Sequence, residues 1–474
     1  MSKKRLAVVI TTYNRKEKVD ECIKSLLDSD YDAFDIYVVD NACTDGTKKY
    51  LDKKYGRKIK TLKVKINLGG CNGFNEGVKK ALKKNYEYIT LCDDDIIVEK
   101  DTLSNMVDFI DRHDEVGVVG PRTYKRGYGY KDTLQEYGTY LGWGTIFNIT
   151  VDNYSKIWSD ECKPWIYVDY IPACLMLVRS SIIKKVGGIE IDYEGYFEDI
   201  DLGYKAILLG YKIAVDSRAI IYHCKLSTTG YLKETTVKDY YMNRSKLLFY
   251  IRYSQKRDIP KVCKLYLIKL YELLMSAKYK GDKNTYDITL LGFLHGFSGV
   301  LNSAGVTGVV LRKKKNITLS DKCKDSKNIY IDKYIDEYFI YDVMNNFNKE
   351  IYVKTDDFTY LYKEVAKFGF DEDKMKLLKE AKENITYDTK IRQCNMMGEM
   401  EYESSYIYVD KYQNIVCNED EFSFFHNIGE RREEFINMYL DTVVKNAYRI
   451  RIDWKQKGKY DFLSNEQIAK DKLF

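Results

Sequence analysis

Proline and histidine are scarce in this chain of 474 residues, with four of each, and all four prolines lie before residue 261. The eleven cysteines contain no CxxC pair and no Cys/His ligand spacing, which argues against zinc. An odd, unpatterned cysteine set suggests reduced thiols. Met1-Ser2-Lys3-Lys4-Arg5 runs straight into an apolar strand and leaves no room for a secretory leader, so the expectation is a cytoplasmic protein. Disorder is excluded by a hydrophobic content of 45% and an aromatic content of 14%. The length exceeds one ordinary core, which implies two or three domains.

Charge is unevenly spread. Residues 1–320 hold 52 basic against 40 acidic side chains, and residues 321–474 hold 25 against 31. A basic front lobe suits nucleotides, nucleic acid or anionic lipid and by itself selects none of them.

The front of the chain alternates strand and helix. Leu6-Ala7-Val8-Val9-Ile10 reads as a strand covered on both faces, followed by the polar Thr11-Thr12-Tyr13-Asn14-Arg15. Val19, Cys22, Ile23, Leu26 and Leu27 form one helical stripe. Asp35 to Val39 is a second strand, ending in Asp40-Asn41, and Thr44-Asp45-Gly46-Thr47 opens another helix. A third strand, Lys60 to Ile66, leads into a glycine-rich loop, Asn67 to Gly77, with a helix expected from Val78 to Lys84. That loop lacks the Lys-Ser/Thr of a P-loop and the spacing of a dinucleotide fingerprint. Repeated βα units put every such loop at the ligand-binding edge of a parallel sheet.

The next strand, Tyr88 to Cys92, ends in Asp93-Asp94-Asp95. Three like charges at a strand tip repel one another, and such groups suit a hard cation as well as a solvated acidic turn. A second acidic group, Phe197-Glu198-Asp199-Ile200-Asp201, precedes an amphipathic helix stopped by Gly210, where capping is the plain alternative for Asp199. Short strands at Ile213–Val215 and Ala219–Tyr222 then lead to His223. Tyr124 to Trp165 is rich in Tyr, Gly and Trp without periodicity, and Tyr167 to Arg179 reads as a strand broken at Pro172.

TTYNR, VVDN, NLGGCNGFNEG, DDD, FEDIDLGYKA and the downstream His223, in that order, resemble family 2 glycosyltransferases of the GT-A fold over about Leu6–Arg252. The NxGGxxGF loop is most similar to the galactofuranosyl- and rhamnosyltransferase branch. Tryptophan is missing around Ala173-Cys174 and Leu226, a departure from close galactofuranosyltransferases, and the helix with Tyr240, Tyr241 and Arg244 reads Arg-Ser where Arg-Asn is common. The resemblance implies an α/β fold with a mostly parallel, Rossmann-like sheet and helices on both faces. It implies a nucleotide-sugar site with Thr11, Tyr13, Arg15, Asp40, Asn67, Gly69, Gly70, Asp93 and Asp94. It assigns Asp95 and His223 to a divalent metal, Mn²⁺ or Mg²⁺, and Asp199 to the catalytic base of an inverting transfer. A UDP- or dTDP-linked donor and a glycan or lipid-linked acceptor would be the partners, with no nucleic acid and with oligomerisation left open. A nucleotidyltransferase acting on a sugar phosphate and a non-catalytic glycan-binding scaffold are the alternatives.

Three regions follow: a GT-A domain over 1–250, an amphipathic segment with a polybasic patch over 251–319, and a mixed α/β domain of unnamed role over 320–474. Val262, Leu265, Leu270, Leu273 and Leu274 with interspersed lysines make a basic amphipathic helix. Ile288 to Leu311 is uncharged and precedes Arg312-Lys313-Lys314-Lys315. Its glycines make it a poor membrane span, so it reads as an interfacial or core-docking helix. The expected location is the inner face of the cell membrane, peripherally bound. In the last region, strands are expected near 328–331, 350–353 and 405–409, and helices over 363–368, 374–382 and 431–446.

Overall fold

The computed structural model describes residues 5–67, 69–127, 130–136, 140–141, 149–150, 164–223, 231–300, 319–334, 339–340, 343–344, 347–366, 370–393, 402–409, 415–464 and 467–468. The expectations for Leu226, for 312–315 and for most of Tyr124–Trp165 lie outside them.

In chain order the first elements are β1 (Leu6–Thr12), α1 (Lys16–Leu27), β2 (Phe34–Asp40), α2 (Thr47–Tyr55), β3 (Ile59–Lys63), α3 (Gly70–Ala81), β4 (Tyr88–Cys92), β5 (Ile96–Val98) and α4 (Thr102–Arg112). Then come β6 (Val116–Gly127), β7 (Tyr130–Glu136), β8 (Tyr140–Leu141), β9 (Ile149–Thr150), β10 (Trp165–Val168), β11 (Leu175–Arg179), α5 (Ser180–Val186), α6 (Glu198–Leu208) and β12 (Lys212–His223). Three long helices follow, α7 (Tyr231–Tyr253), α8 (Ile259–Tyr279) and α9 (Lys283–Ser298). The chain divides into two compact units. One comprises Met1–Val262, Gly292–Val309 and Val444–Phe474, and the other Cys263–Leu291 and Val310–Val443.

The first unit is the α/β architecture expected from the sequence. Its main sheet runs β10-β12-β6-β11-β4-β1-β2-β3, with β5 added to β12 and β7 to β6. Strands β4, β1, β2 and β3 are parallel, while β11 lies antiparallel between β4 and β6. Alternate residues feed two cores. Leu6, Val8 and Ile10 pack with α1 residues Ile23 and Leu26, and Ala7 and Val9 pack with α3 residues Phe74 and Val78. This is why β1 is apolar without interruption. The order reverses at β1, flanked by β2 and β4, so the ends of β1 and β4 border a crevice that suits a ligand.

Helix α3 corrects the sequence reading. It starts at Gly70 rather than Val78, so most of the glycine-rich stretch is helix. Glycine costs a helix about 1 kcal/mol per residue relative to alanine, and packing explains why it stands here. A Cβ on Gly73 would lie 2.0 Å from Thr11 Oγ1, and one on Gly77 would lie 2.3 Å from a Val9 methyl. The small residues let α3 approach β1 closely. Two shorter corrections follow: β3 ends at Lys63, and the two short strands before His223 are one strand with an irregularity between Asp216 and Ile220.

Buried Asp20 on α1 ties α1 to α2, accepting from Tyr55 Oη at 2.7 Å and pairing with Lys24 and Lys54. Burial acts to raise its pKa, but the hydrogen bonds from Lys24, Lys54 and Tyr55 outweigh it and bring the group down to about 2. A depressed carboxylate stabilises the fold above its unfolded value near 3.9 and loses that contribution as pH falls through about 2. Asp20→Asn is therefore expected to cost about 1–2 kcal/mol at pH 7, discounted for the half-exposed lysines. Urea unfolding should show the gap to the native protein closing below about pH 3.

The last turns of helix α9, from Gly292, belong to the first unit. Phe293 and Phe297 are buried, and Gly292 and Gly296 lie against Tyr240 and Leu247 of α7. Among the described residues no helix is long and apolar enough to cross a membrane.

The second unit contains α10 (Leu319–Cys323), β13 (Asn328–Lys333), β14 (Glu350–Val353), α11 (Phe358–Ala366), α12 (Glu372–Met375), β15 (Leu378–Glu380), β16 (Thr389–Gln393), β17 (Tyr406–Val409), β18 (Ile415–Val416) and α13 (Glu419–Glu430). Helix α14 (Arg432–Gln456) begins here and ends among residues of the first unit. The sheet order is β15-β14-β13-β16-β17-β18, parallel except for its last pair. The helix expected over 374–382 is instead a short turn of helix followed by β15. Leu378 of that strand is buried in the unit's core.

Candidate functional site

The acidic triplet sits in a tight turn between β4 and β5, and pairing on both sides fixes it. Asp93 N donates to Cys174 O at 3.1 Å, which carries the β4–β11 ladder one residue further. Directly after Asp95, β5 pairs antiparallel with the end of β12, Ile96 opposite His223. That register places His223 Nε2 3.2 Å from Asp95 Oδ1.

Asp93, Asp95 and His223 each offer a ligand atom, all within 4.8 Å of one another. Two carboxylates and an imidazole in so small a space fit a divalent cation such as Mn²⁺ or Mg²⁺. Burial pushes Asp93 up to about 7, helped by the charge of Asp95. Burial also acts to raise Asp95, but the His223 hydrogen bond and the charges of His223 and Arg15 hold it below the usual carboxylate range. The group thus carries crowded negative charge of the kind a cation relieves.

Asp94 points elsewhere. It is buried, accepts from Thr12 Oγ1 at 2.6 Å and from Arg15 Nη1 at 3.2 Å, and so ties the triplet to the end of β1. Burial pushes it up to about 6 against the opposing charge of Arg15. Arg15 also reaches Asp95 Oδ2 at 3.2 Å, joining both acids.

Residues of the expected nucleotide set lie along the neighbouring strand ends. Thr11 closes on Gly73, and Tyr13 is exposed. Asp40 is buried and accepts from Cys43 N at 2.7 Å, so it shapes the turn after β2. Asn67 is exposed and Asn41 Nδ2 donates to it at 3.0 Å. Gly69 has φ 92°, and a Cβ there would collide with Glu194 O. Its glycine is demanded by this contact with the loop before α6, while Gly70 has open space around it.

Asp199 lies in the first turn of α6, part-exposed, beside a buried Glu198. Its Oδ2 accepts from Tyr170 Oη and Ala173 N, each at 3.1 Å, and its Oδ1 from Ile200 N at 2.8 Å. Burial raises its pKa, although these three donors oppose the rise. Glu198 is pushed up to about 8 by burial and by the Asp199 charge, which favours its protonated form at neutral pH. Ala173 holds Asp199 while the next residue, Cys174, holds Asp93. Two adjacent residues therefore connect the two acidic groups. The sequence assigns no site role to Thr12, to Tyr170 or to the Ala173-Cys174 backbone, which it marks only by the absence of tryptophan. No pattern there tells Thr12 from Thr11, and Tyr170 lies in a segment read only as a strand broken at Pro172.

Gly73→Ala should act through Thr11, since the added methyl must displace a strand side chain at 2.0 Å. A loss of about 1–3 kcal/mol is expected from such overpacking. The melting temperature should fall accordingly.

Residues 7–182 match the family model described as Glycosyl transferase family 2. The chain is similar to the poly-beta-1,6-N-acetyl-D-glucosamine synthase of Staphylococcus epidermidis, 24% identical over 238 residues that make up 49% of this chain and 53% of that protein. An uncharacterized glycosyltransferase of Haemophilus influenzae is 23% identical over 309 residues, 60% of this chain and 88% of its own. The crystal structure of Staphylococcus aureus TarS 1-349 aligns with a TM-score of 0.36 at 17% identity, covering 62% of this chain and 92% of that one. The chain spans about half the length of the first of these curated relatives. The domain match and the relatives support a transferase enzyme with a family 2 glycosyltransferase domain.

Proposed function

We propose that the first unit is a GT-A glycosyltransferase that moves a sugar from a nucleoside-diphosphate donor to a hydroxyl of a cell-surface glycan or lipid-linked acceptor, with inversion. The observation that carries this reading is the Ala173-Cys174 link, which sets a part-exposed carboxylate beside a carboxylate–imidazole group at the mouth of the parallel sheet.

Asp95 and His223, with Asp93, would hold a divalent cation, which when bound neutralises the charge that develops on a departing diphosphate. Thr11 Oγ1 and Asn41 Oδ1 are buried without a hydrogen-bond partner among the described residues, and Thr11, Tyr13, Arg15 and Asp40 line the nucleotide side. Asp199 accepts the proton of the attacking acceptor hydroxyl. Its pKa, raised by burial, suits a general base. One displacement by that hydroxyl inverts the anomeric centre.

The NLGGCNGF stretch favours a galactofuranose or rhamnose-type donor, while the similarity to an N-acetylglucosamine polymer synthase adds that sugar to the choice. The basic balance of 1–320 suits peripheral contact with the anionic inner face of the cell membrane. The test is a panel of UDP-galactofuranose, dTDP-rhamnose and UDP-N-acetylglucosamine with Mn²⁺ or Mg²⁺, following nucleoside diphosphate release and acceptor elongation. Pyrophosphate release from a nucleoside triphosphate would replace this reading with nucleotidyl transfer. Glycan binding without nucleotide release would leave a scaffold.

A further inference from the structure

The loop that delivers Asp199 holds a conformation it would not adopt unaided. Glu194, Tyr196 and Phe197 have φ of 59°, 67° and 85°, in the left-handed region that a Cβ disfavours, and α6 starts directly after them. Strained backbone of this kind persists where the surroundings over-determine it. Part of the restraint comes from α7, where Arg244 donates to Tyr193 O at 2.8 Å and pairs with Glu194 at 3.1 Å.

The rest comes from a segment more than 250 residues further along. Lys459 Nζ lies 2.6 Å from the Glu190 carboxylate and 2.7 Å from that of Asp192. Its carbonyl accepts from Arg252 Nη2 at 3.0 Å, and Tyr460 Oη donates to Arg252 O at 3.1 Å. Arg451 donates to Ile251 O at 2.9 Å, seating the same segment on α7. Glu190 is buried and shares Arg252 with buried Asp201, which Lys205 also contacts at 2.6 Å. In this cluster three acids, counting Asp192, face three cations. Removing the Lys459 ammonium leaves a buried carboxylate undercompensated at the root of the strained turn.

We propose that Lys459 is a positioning residue for sugar transfer: by fixing Glu190 and Asp192 it holds the 190–197 loop, and through it Asp199, in the geometry that meets the acceptor hydroxyl. The proposal rests on Asp199 being the base, and it makes 444–463 part of the transfer machinery although this segment lies far outside the matched residues 7–182.

The test compares Lys459→Met with Lys459→Arg in the full chain. Two readouts are used: hydrogen–deuterium exchange of peptides covering 188–200, which needs no activity, and steady-state kinetics with nucleotide affinity. Lys459→Met should speed exchange of 188–200 by tenfold or more and lower kcat by a similar factor, with nucleotide affinity within twofold of native. Lys459→Arg should restore both. Unchanged exchange in 188–200 overturns the proposal whether or not a donor has been found. So does a fall in nucleotide affinity matching the fall in kcat, which would mark general loss of structure. Should Lys459→Met fail to fold, Asp192→Asn removes the more exposed of the two carboxylates on the same ammonium and is read in the same two ways. A native protein that transfers no sugar in the donor panel defeats the reading of the site, while the exchange result still decides the role of Lys459.

Discussion

Asp199→Asn is expected to bind nucleotide as tightly as the native protein and to lose turnover by about 10²–10⁴-fold, the range for a general base. The geometry adds a second consequence. Each carboxylate oxygen accepts a backbone N–H, Oδ1 from Ile200 and Oδ2 from Ala173. Whichever way an asparagine is turned, its NH₂ group faces one of these donors. A buried mismatch of this kind costs about 1–3 kcal/mol, so the variant should also melt earlier. Three measurements separate the effects: calorimetric affinity for UDP, the melting temperature, and turnover at a temperature well below the transition. Asp199→Ser removes the proton acceptor without turning an NH₂ group onto either backbone donor, and should show the same loss of turnover. Full turnover in either variant would remove Asp199 from the role of base.

The order of strands and the edge that carries the site were legible because the forces that set them are local and repetitive. Leu6–Ile10 could only be a strand covered twice, and the acids that close β2 and β4 mark the ends of such strands. The glycine stretch was read wrongly for a physical reason. Glycine propensity speaks against helix, but Gly73 and Gly77 answer to β1, a contact between residues more than 60 apart in the chain. The same limit applies to Asp94. In sequence it is one of three equal carboxylates, and its partners Thr12 and Arg15 lie about 80 residues upstream.

The surroundings of Asp199 were the least legible. FEDIDLGYKA points to α6 and to Asp199, but the one glycine in the turn in front of it, Gly195, does not mark its left-handed positions, which fall on Glu194, Tyr196 and Phe197. What holds that turn comes from Arg244 and Lys459, far along the chain. Nothing near residue 444 marks a return to the first unit. Helix α14 continues without a break through that position.

The three aspartates should differ sharply in one measurement, and the difference follows from where each carboxylate points. Asp95 faces His223, is depressed in pKa despite its burial, and is therefore ionised at neutral pH. Asp95→Ala is expected to weaken Mn²⁺ binding by about 100-fold or more, beyond the 10–100-fold usual for a ligand's supporting residue. Turnover should fall by roughly 10³-fold, since a Lewis acid at a leaving diphosphate contributes several kcal/mol. His223→Ala should follow it in direction. Asp94→Asn is the internal contrast, because its oxygens are already taken by Thr12 and Arg15. It should keep Mn²⁺ affinity within a few-fold of native, and Thr12 can still donate to the asparagine oxygen. Electron paramagnetic resonance of bound Mn²⁺ reads this without any knowledge of the sugar. Equal loss in Asp94→Asn and Asp95→Ala would mean that the triplet acts as a diffuse acidic turn. Turnover that survives thorough chelation would take the cation away from Asp95 and His223 altogether.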